Sequence, residues 1–107
     1  MIMRIWRGVV ATDRTKAYVR YIEDTGLAEY LAVEGNRGAQ MVTRDLADGR
    51  TEVMTVSWWD DLDSVRGFAG DDVEVAKYYP DDDEFLLERD DVVRHYVVAA
   101  APKTSGG

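Results

Sequence analysis

The chain has 107 residues, the size of one domain with one core. Its formal net charge of -8, from 21 acidic and 13 basic residues, would repel a phosphate backbone and argues against a nucleic-acid partner. The absence of cysteine excludes disulfides, thiolate nucleophiles and thiolate metal sites, and fits a cytoplasmic protein. No apolar run is long enough for a membrane span, and the opening MIMRIWRGVVA has no signal-peptide pattern.

Residues 2–10 read as a strand, with Met3, Ile5 and Val9 on one parity and Ile2, Trp6 and Val10 on the other. Apolar residues on both faces point to a strand covered on both sides. Thr12 or Asp13 is placed to cap a helix, in which Ala17, Tyr18, Tyr21, Ile22 and Thr25 recur at helical spacing. Gly26 ends or bends it, and residues 27–33 add a second short piece with Leu27, Tyr30 and Leu31 inward. The turn cluster at residues 34–38 leads into a strand over 39–46. Asp48-Gly49 predicts a tight hairpin turn into a third strand over 51–59.

Asp60 or Asp61 caps the next helix, whose buried stripe is Leu62, Val65, Phe68 and Ala69, with Gly70 at its end. Residues 71–79 fit both a strand and a helix, and the flanking Gly70 and Pro80 favour a short helix. Residues 81–88 predict another helical turn or two, and residues 92–100 the last strand. Residues 1–101 then form the domain and 102–107 a flexible tail.

The order βαββαβ predicts an α+β, ferredoxin-like fold: a four-stranded antiparallel sheet with helices on one face. The other face is apolar and too large to stay bare on a monomer. A homodimer that pairs these faces into a barrel covers it.

Several segments together resemble the antibiotic biosynthesis monooxygenase (ABM) domains of the dimeric α/β-barrel group. They are Thr25-Gly26-Leu27-Ala28-Glu29-Tyr30, Gly35-Asn36, Phe68-Ala69-Gly70, Ala76, Tyr78-Tyr79-Pro80, Phe85-Leu86-Leu87, Val93 and His95-Tyr96. Their order and spacing carry the resemblance over almost the whole chain. It implies a pocket between each sheet and its own helices. It also implies oxidation of anthrone-type polyketides by oxygen, with no metal or organic cofactor. Haem-degrading relatives use an Asn on the first strand and a His after the third; neither is present here, since Asn36 lies in a turn. Quinone-forming members share an Asn, Trp and Tyr set, of which this chain has only the aromatic part.

Cofactor-free oxygenation needs a base, donors for a developing oxyanion and apolar walls. His95, the only histidine, is the candidate base, with Tyr78 as an oxyanion donor. Trp6, Trp58, Trp59, Phe68 and Tyr79 are candidate walls for a small aromatic or hydrophobic substrate. Neighbours on a strand face opposite ways, so Trp58 and Trp59 diverge, as do His95 and Tyr96. Packing alone is the favoured account of the tryptophans, and a pocket-lining role can coexist with it. The acids at Asp71-Asp72 and residues 81–84 have no calcium-loop spacing and read as solvated helix starts. Two other functions remain open on the same fold: a non-catalytic dimer holding a small hydrophobic ligand, and a cyclase or isomerase using His95 as base.

Overall fold

The computed structural model describes residues 1–103. The expected tail lies outside the described residues from position 104 onward; Pro102 and Lys103 carry no regular structure.

Strand β1 (Ile2–Ala11) runs through the middle of one antiparallel sheet of order β2-β3-β1-β4. Strands β2 (Asn36–Asp45) and β3 (Arg50–Trp59) form the hairpin that Asp48-Gly49 predicts. Both turn residues are left-handed, at φ 64 and 70, as a tight turn matching strand twist requires. β3 pairs with β1 along its full length, from Ile2 opposite Trp59 to Ala11 opposite Arg50. The fold is α+β and ferredoxin-like, in agreement with the element order read from the sequence.

The fourth strand departs from expectation. The helix predicted over 81–88 is one turn, α4 (Asp82–Phe85), and the chain then enters a strand, β4 (Leu86–Arg89), beside Gly8 to Val10. It leaves β1 over residues 90–93 and returns as β5 (Arg94–Val97), opposite Ile2 to Ile5. The strand expected over 92–100 is thus the shorter β5, and β4, on the same side of β1, takes the place of the end of the expected helix. The detour exists because residues 90–93 answer a different neighbour: Val75 bridges Val92, and Val93 N–H donates to Glu74 O at 2.8 Å. That bridge also corrects the helix expected over 71–79, which is irregular chain tied to the sheet edge.

The first helical arm is α1 (Thr15–Ile22), a π-turn (Glu23–Leu27) and α2 (Ala28–Ala32). Neither Thr12 nor Asp13 caps it; Thr12 opens a short 3₁₀ turn, and its hydroxyl pairs with that of Thr51 at 2.8 Å. Gly26 does not end the arm; it sits buried in the π-turn, where α1 gives way to α2. Helix α3 (Leu62–Ala69) is capped by Asp61, which accepts from Ser64 N–H at 2.8 Å, and it ends at Gly70, φ 83. Val65 and Phe68 are buried, whereas Leu62 and, on α2, Leu31 are exposed.

The helices cover one face of the sheet, over two apolar clusters. One gathers Trp6, Val10, Tyr18, Ile22, Val53, Ala76 and Val93. The other is Tyr30, Trp59, Val65 and Phe68. Gly8 makes room for Trp6: a Cβ there would stand 2.7 Å from the indole and 2.9 Å from Leu86. No helix among the described residues is long and apolar enough to cross a membrane.

Candidate functional site

The even positions of β1 put Arg4, Trp6, Gly8 and Val10 on the helix-covered face. Their partners on β3 and β5 share that face, including Ser57 and His95 opposite Arg4, and Thr55 opposite Trp6. Between this face and the helices lies a cavity walled by Trp6, Tyr18, Tyr30, Tyr78 and Tyr79, with Arg4, Thr55, Lys77 and Asp82 as its polar members. Gly26 contributes bare backbone, 3.6 Å from the Tyr79 ring measured to the Cβ it lacks. The room open to the centre of a water-sized sphere is about 20 Å³, enough for one water. The protein's own side chains fill most of the space.

Asp82 is the buried acid of this cavity, 2 % exposed. The sequence places it in a solvated acidic run; the structure corrects that. Its Oδ1 accepts from the Tyr18 hydroxyl at 3.0 Å and its Oδ2 from Tyr79 N–H at 2.6 Å. Burial pushes its pKa up, and this outweighs the two donors and the Arg89 cation, which act the other way. Burial, with Asp82 beside it, also raises Tyr18.

Arg4 is the buried cation, also 2 % exposed. Its Nη1 donates to Val73 O at 2.6 Å and lies 3.0 Å from His95 Nε2. Since arginine only donates, His95 accepts there and carries its ring proton on Nδ1. Arg4 Nε is buried with no hydrogen-bond partner. Burial lowers the Arg4 pKa, against the effect of Tyr30. Burial and then the Arg4 cation lower that of His95, with Glu74 opposing.

The residues singled out in the sequence fall into three places. Trp6, Tyr78 and Tyr79 line the cavity. Trp59 and Phe68 stand behind it in the second cluster; Trp59 is fully buried with its indole N–H on Ser57 Oγ at 2.9 Å, and Phe68 lies beneath Arg4, 5.7 Å from ring centre to Cζ. Trp58 is on the opposite face, in an open groove with Met1, Met3 and Tyr96. His95 reaches the cavity only through Arg4, and its ring also borders a shallow edge hollow with Glu74. His95 and Tyr78 are not hydrogen-bonded to each other. The Tyr78 hydroxyl donates to Asp90 O and accepts from Trp6 Nε1 at 3.1 Å, so its one proton is committed. Burial raises its pKa. The Tyr79 hydroxyl donates to Glu29.

Arg4, Tyr18, Tyr30, Thr55, Lys77 and Asp82 are wall residues that sequence reasoning missed. Arg4 had a signal: it is a charge on the parity shared by Ile2, Trp6 and Val10. Asp82 had none, because its burial comes from Tyr18 and from the irregular segment before it.

No protein-family model matches the chain, and no curated protein does. Among solved structures it is similar to a provisionally named antibiotic biosynthesis monooxygenase from Bacillus cereus. The TM-score is 0.69 over 99% of this chain and 98% of that one, at 14% identity. The chain therefore has the ferredoxin-like α+β fold of an ABM-type protein.

Proposed function

We propose that the chain is a cofactor-independent oxygenase acting on a reduced, hydroxylated aromatic small molecule of the anthrone type. The observation that carries this reading is the aromatic cavity with one buried carboxylate of raised pKa in its wall. A carboxylate above its usual range is a stronger base than an exposed one. Two of Asp82's acceptor sites are used, which leaves others for a substrate.

In such a reaction the base removes a proton from the carbon flanked by two rings, leaving an enolate. The enolate passes one electron to dioxygen, and the two radicals join through a new C–O bond. The peroxide takes up the proton, loses water and leaves a carbonyl. One substrate and one dioxygen give one quinone and one water. Asp82 is the base we favour over His95, whose Nε2 is engaged by Arg4. Trp6 serves as a wall, and Tyr78 and Tyr79 swing aside to admit the rings, since the cavity as it stands has room for about one water.

A second reading is supported by the small free volume. A non-catalytic protein of this fold would hold a small hydrophobic ligand by displacing Tyr78 or Tyr79. On either reading the open face, with Met3, Val42, Met54, Trp58 and Tyr96, would pair with a second copy.

The experiment is incubation with an anthrone in air and under nitrogen, against the uncatalysed oxidation. Quinone formation accelerated in air, with one oxygen consumed per quinone, is expected. Acceleration that persists without oxygen overturns the oxygenase reading. Ligand binding without acceleration favours the second.

A further inference from the structure

We infer that Arg4 is the binding residue for a planar organic oxyanion, a carboxylate, phenolate or enolate borne on an aromatic ring, in the cavity between sheet and helices. The inference rests on the cavity being a ligand site, opened by movement of Tyr78 or Tyr79 because its present room is about one water, but it needs no oxygen chemistry.

A guanidinium this deeply buried is costly unless an anion answers it. Among the described residues no Asp or Glu oxygen lies within 4.0 Å of it. Nη1 donates to Val73 O and His95 Nε2, both neutral, and the Tyr30 hydroxyl that also supports the cation is neutral too. They orient the group without balancing its charge. The Phe68 ring beneath it adds only a weak attraction. The Nε side of the fork is unbonded. A fork of N–H groups fixed on one side and free on the other is the geometry that takes a planar oxyanion.

The position also argues for a purpose. Arg4 is on the central strand and shares its face with Trp6 and Val10. An apolar residue there would continue the core at no electrostatic cost.

The cavity wall defines the ligand class. Trp6, Tyr18, Tyr30 and Tyr78 offer ring faces and edges. Asp82, in the same wall, opposes a second negative group but accepts from a ligand hydroxyl. The fitting ligand is therefore an aromatic monoanion whose remaining polar groups are neutral donors. His95 is a positioning residue: its lone pair on Nε2 holds Arg4 in place.

The probes are benzoate and benzamide, equal in shape and different in charge, titrated into the intact protein with tryptophan fluorescence and calorimetry as readouts. Benzoate is expected to bind at least about tenfold more tightly than benzamide. In Arg4→Met the preference should fall to within about twofold, while Arg4→Lys, which keeps the charge but not the fork, should keep part of it. Circular dichroism establishes that each variant is folded. Equal binding of the two probes by the unaltered protein overturns the inference whatever the variants do, and so does a preference that survives in folded Arg4→Met. Absence of benzoate binding overturns it as well. The anthrone assay in air and nitrogen is read separately. An anion preference without turnover leaves Arg4 as a binding residue and removes the oxygenase. Turnover with no anion preference does the reverse.

Discussion

Asp82 Oδ1 and the Tyr18 hydroxyl meet at 3.0 Å, both buried, and tie the start of α4 to α1 across the cavity. Asp82→Ala would leave the Tyr18 hydroxyl and Tyr79 N–H without their acceptor, at a cost of about 2–4 kcal/mol. Asp82→Asn keeps one acceptor and should cost about 1 kcal/mol or less. Urea unfolding of the two variants checks the order; equal losses would mean that the carboxylate fills space rather than accepting.

The same group predicts a dependence on pH. Its folded pKa is raised, so the protonated form is favoured in the fold. That contribution is complete below the ordinary carboxylate range and is lost as pH rises through the folded value. Relative to the unaltered protein, Asp82→Asn should therefore gain stability between about pH 4 and pH 7. A constant difference across that range would contradict the raised value.

His95 acts in the opposite sense. Its pKa is lowered by burial and by Arg4, so the neutral ring is favoured in the fold. Its contribution is present above the unfolded value of about 6.5 and is lost as pH falls through the folded value. Denaturant midpoints should drop between pH 8 and pH 5.5 by more in the unaltered protein than in His95→Gln. An identical drop in both would assign the acid loss to other groups.

The sheet was legible because its signals are local. Asp48-Gly49 fixed one hairpin, and alternation placed Trp58 and Trp59 on opposite faces; which of them faced inward needed the register opposite Met3 and Ile2. The last strand was misread because the strand tendency of residues 86–97 is interrupted by a contact with residues 74 and 75, far away along the chain. Residues 71–79 failed for the same reason: both periodicities fit, and a bridge decided. Of the aromatic part of the cavity wall, Trp6, Tyr78 and Tyr79 are legible in the sequence, and Tyr18 and Tyr30 read only as buried helix positions. The charged part was not legible, because a buried Asp is written in the sequence like an exposed one.

On the open face, Trp58 is the residue to alter. Trp58→Arg should leave the fold intact and weaken self-association by at least about a hundredfold, since it buries a charge in place of a large ring. Sedimentation over a concentration series reads this. A protein that is monomeric at micromolar concentration without the change would remove the dimer.

The irregular segment before α4 is held at the cavity mouth by Glu29. This carboxylate accepts from Lys77 Nζ at 2.9 Å and from the Tyr79 hydroxyl. Burial raises its pKa, but these partners prevail and hold it below the usual range. Glu29→Ala should speed amide exchange in residues 71–81 while lowering global stability by about 1 kcal/mol or less. Unchanged exchange there would mean that the Val75 bridge alone holds the segment.

Strand β1 gives its two faces to different tasks within single steps of the chain: Met3 on one side, Arg4 on the other, then Ile5 and Trp6. One inserted or deleted residue in β1 would exchange them all at once, sending the cation to the open groove and an apolar side chain into the cavity. Point substitution faces no such link. Descendants of this sequence can redraw the open face through odd positions and the cavity wall through even ones, so the two surfaces can diverge independently as long as the strand keeps its length.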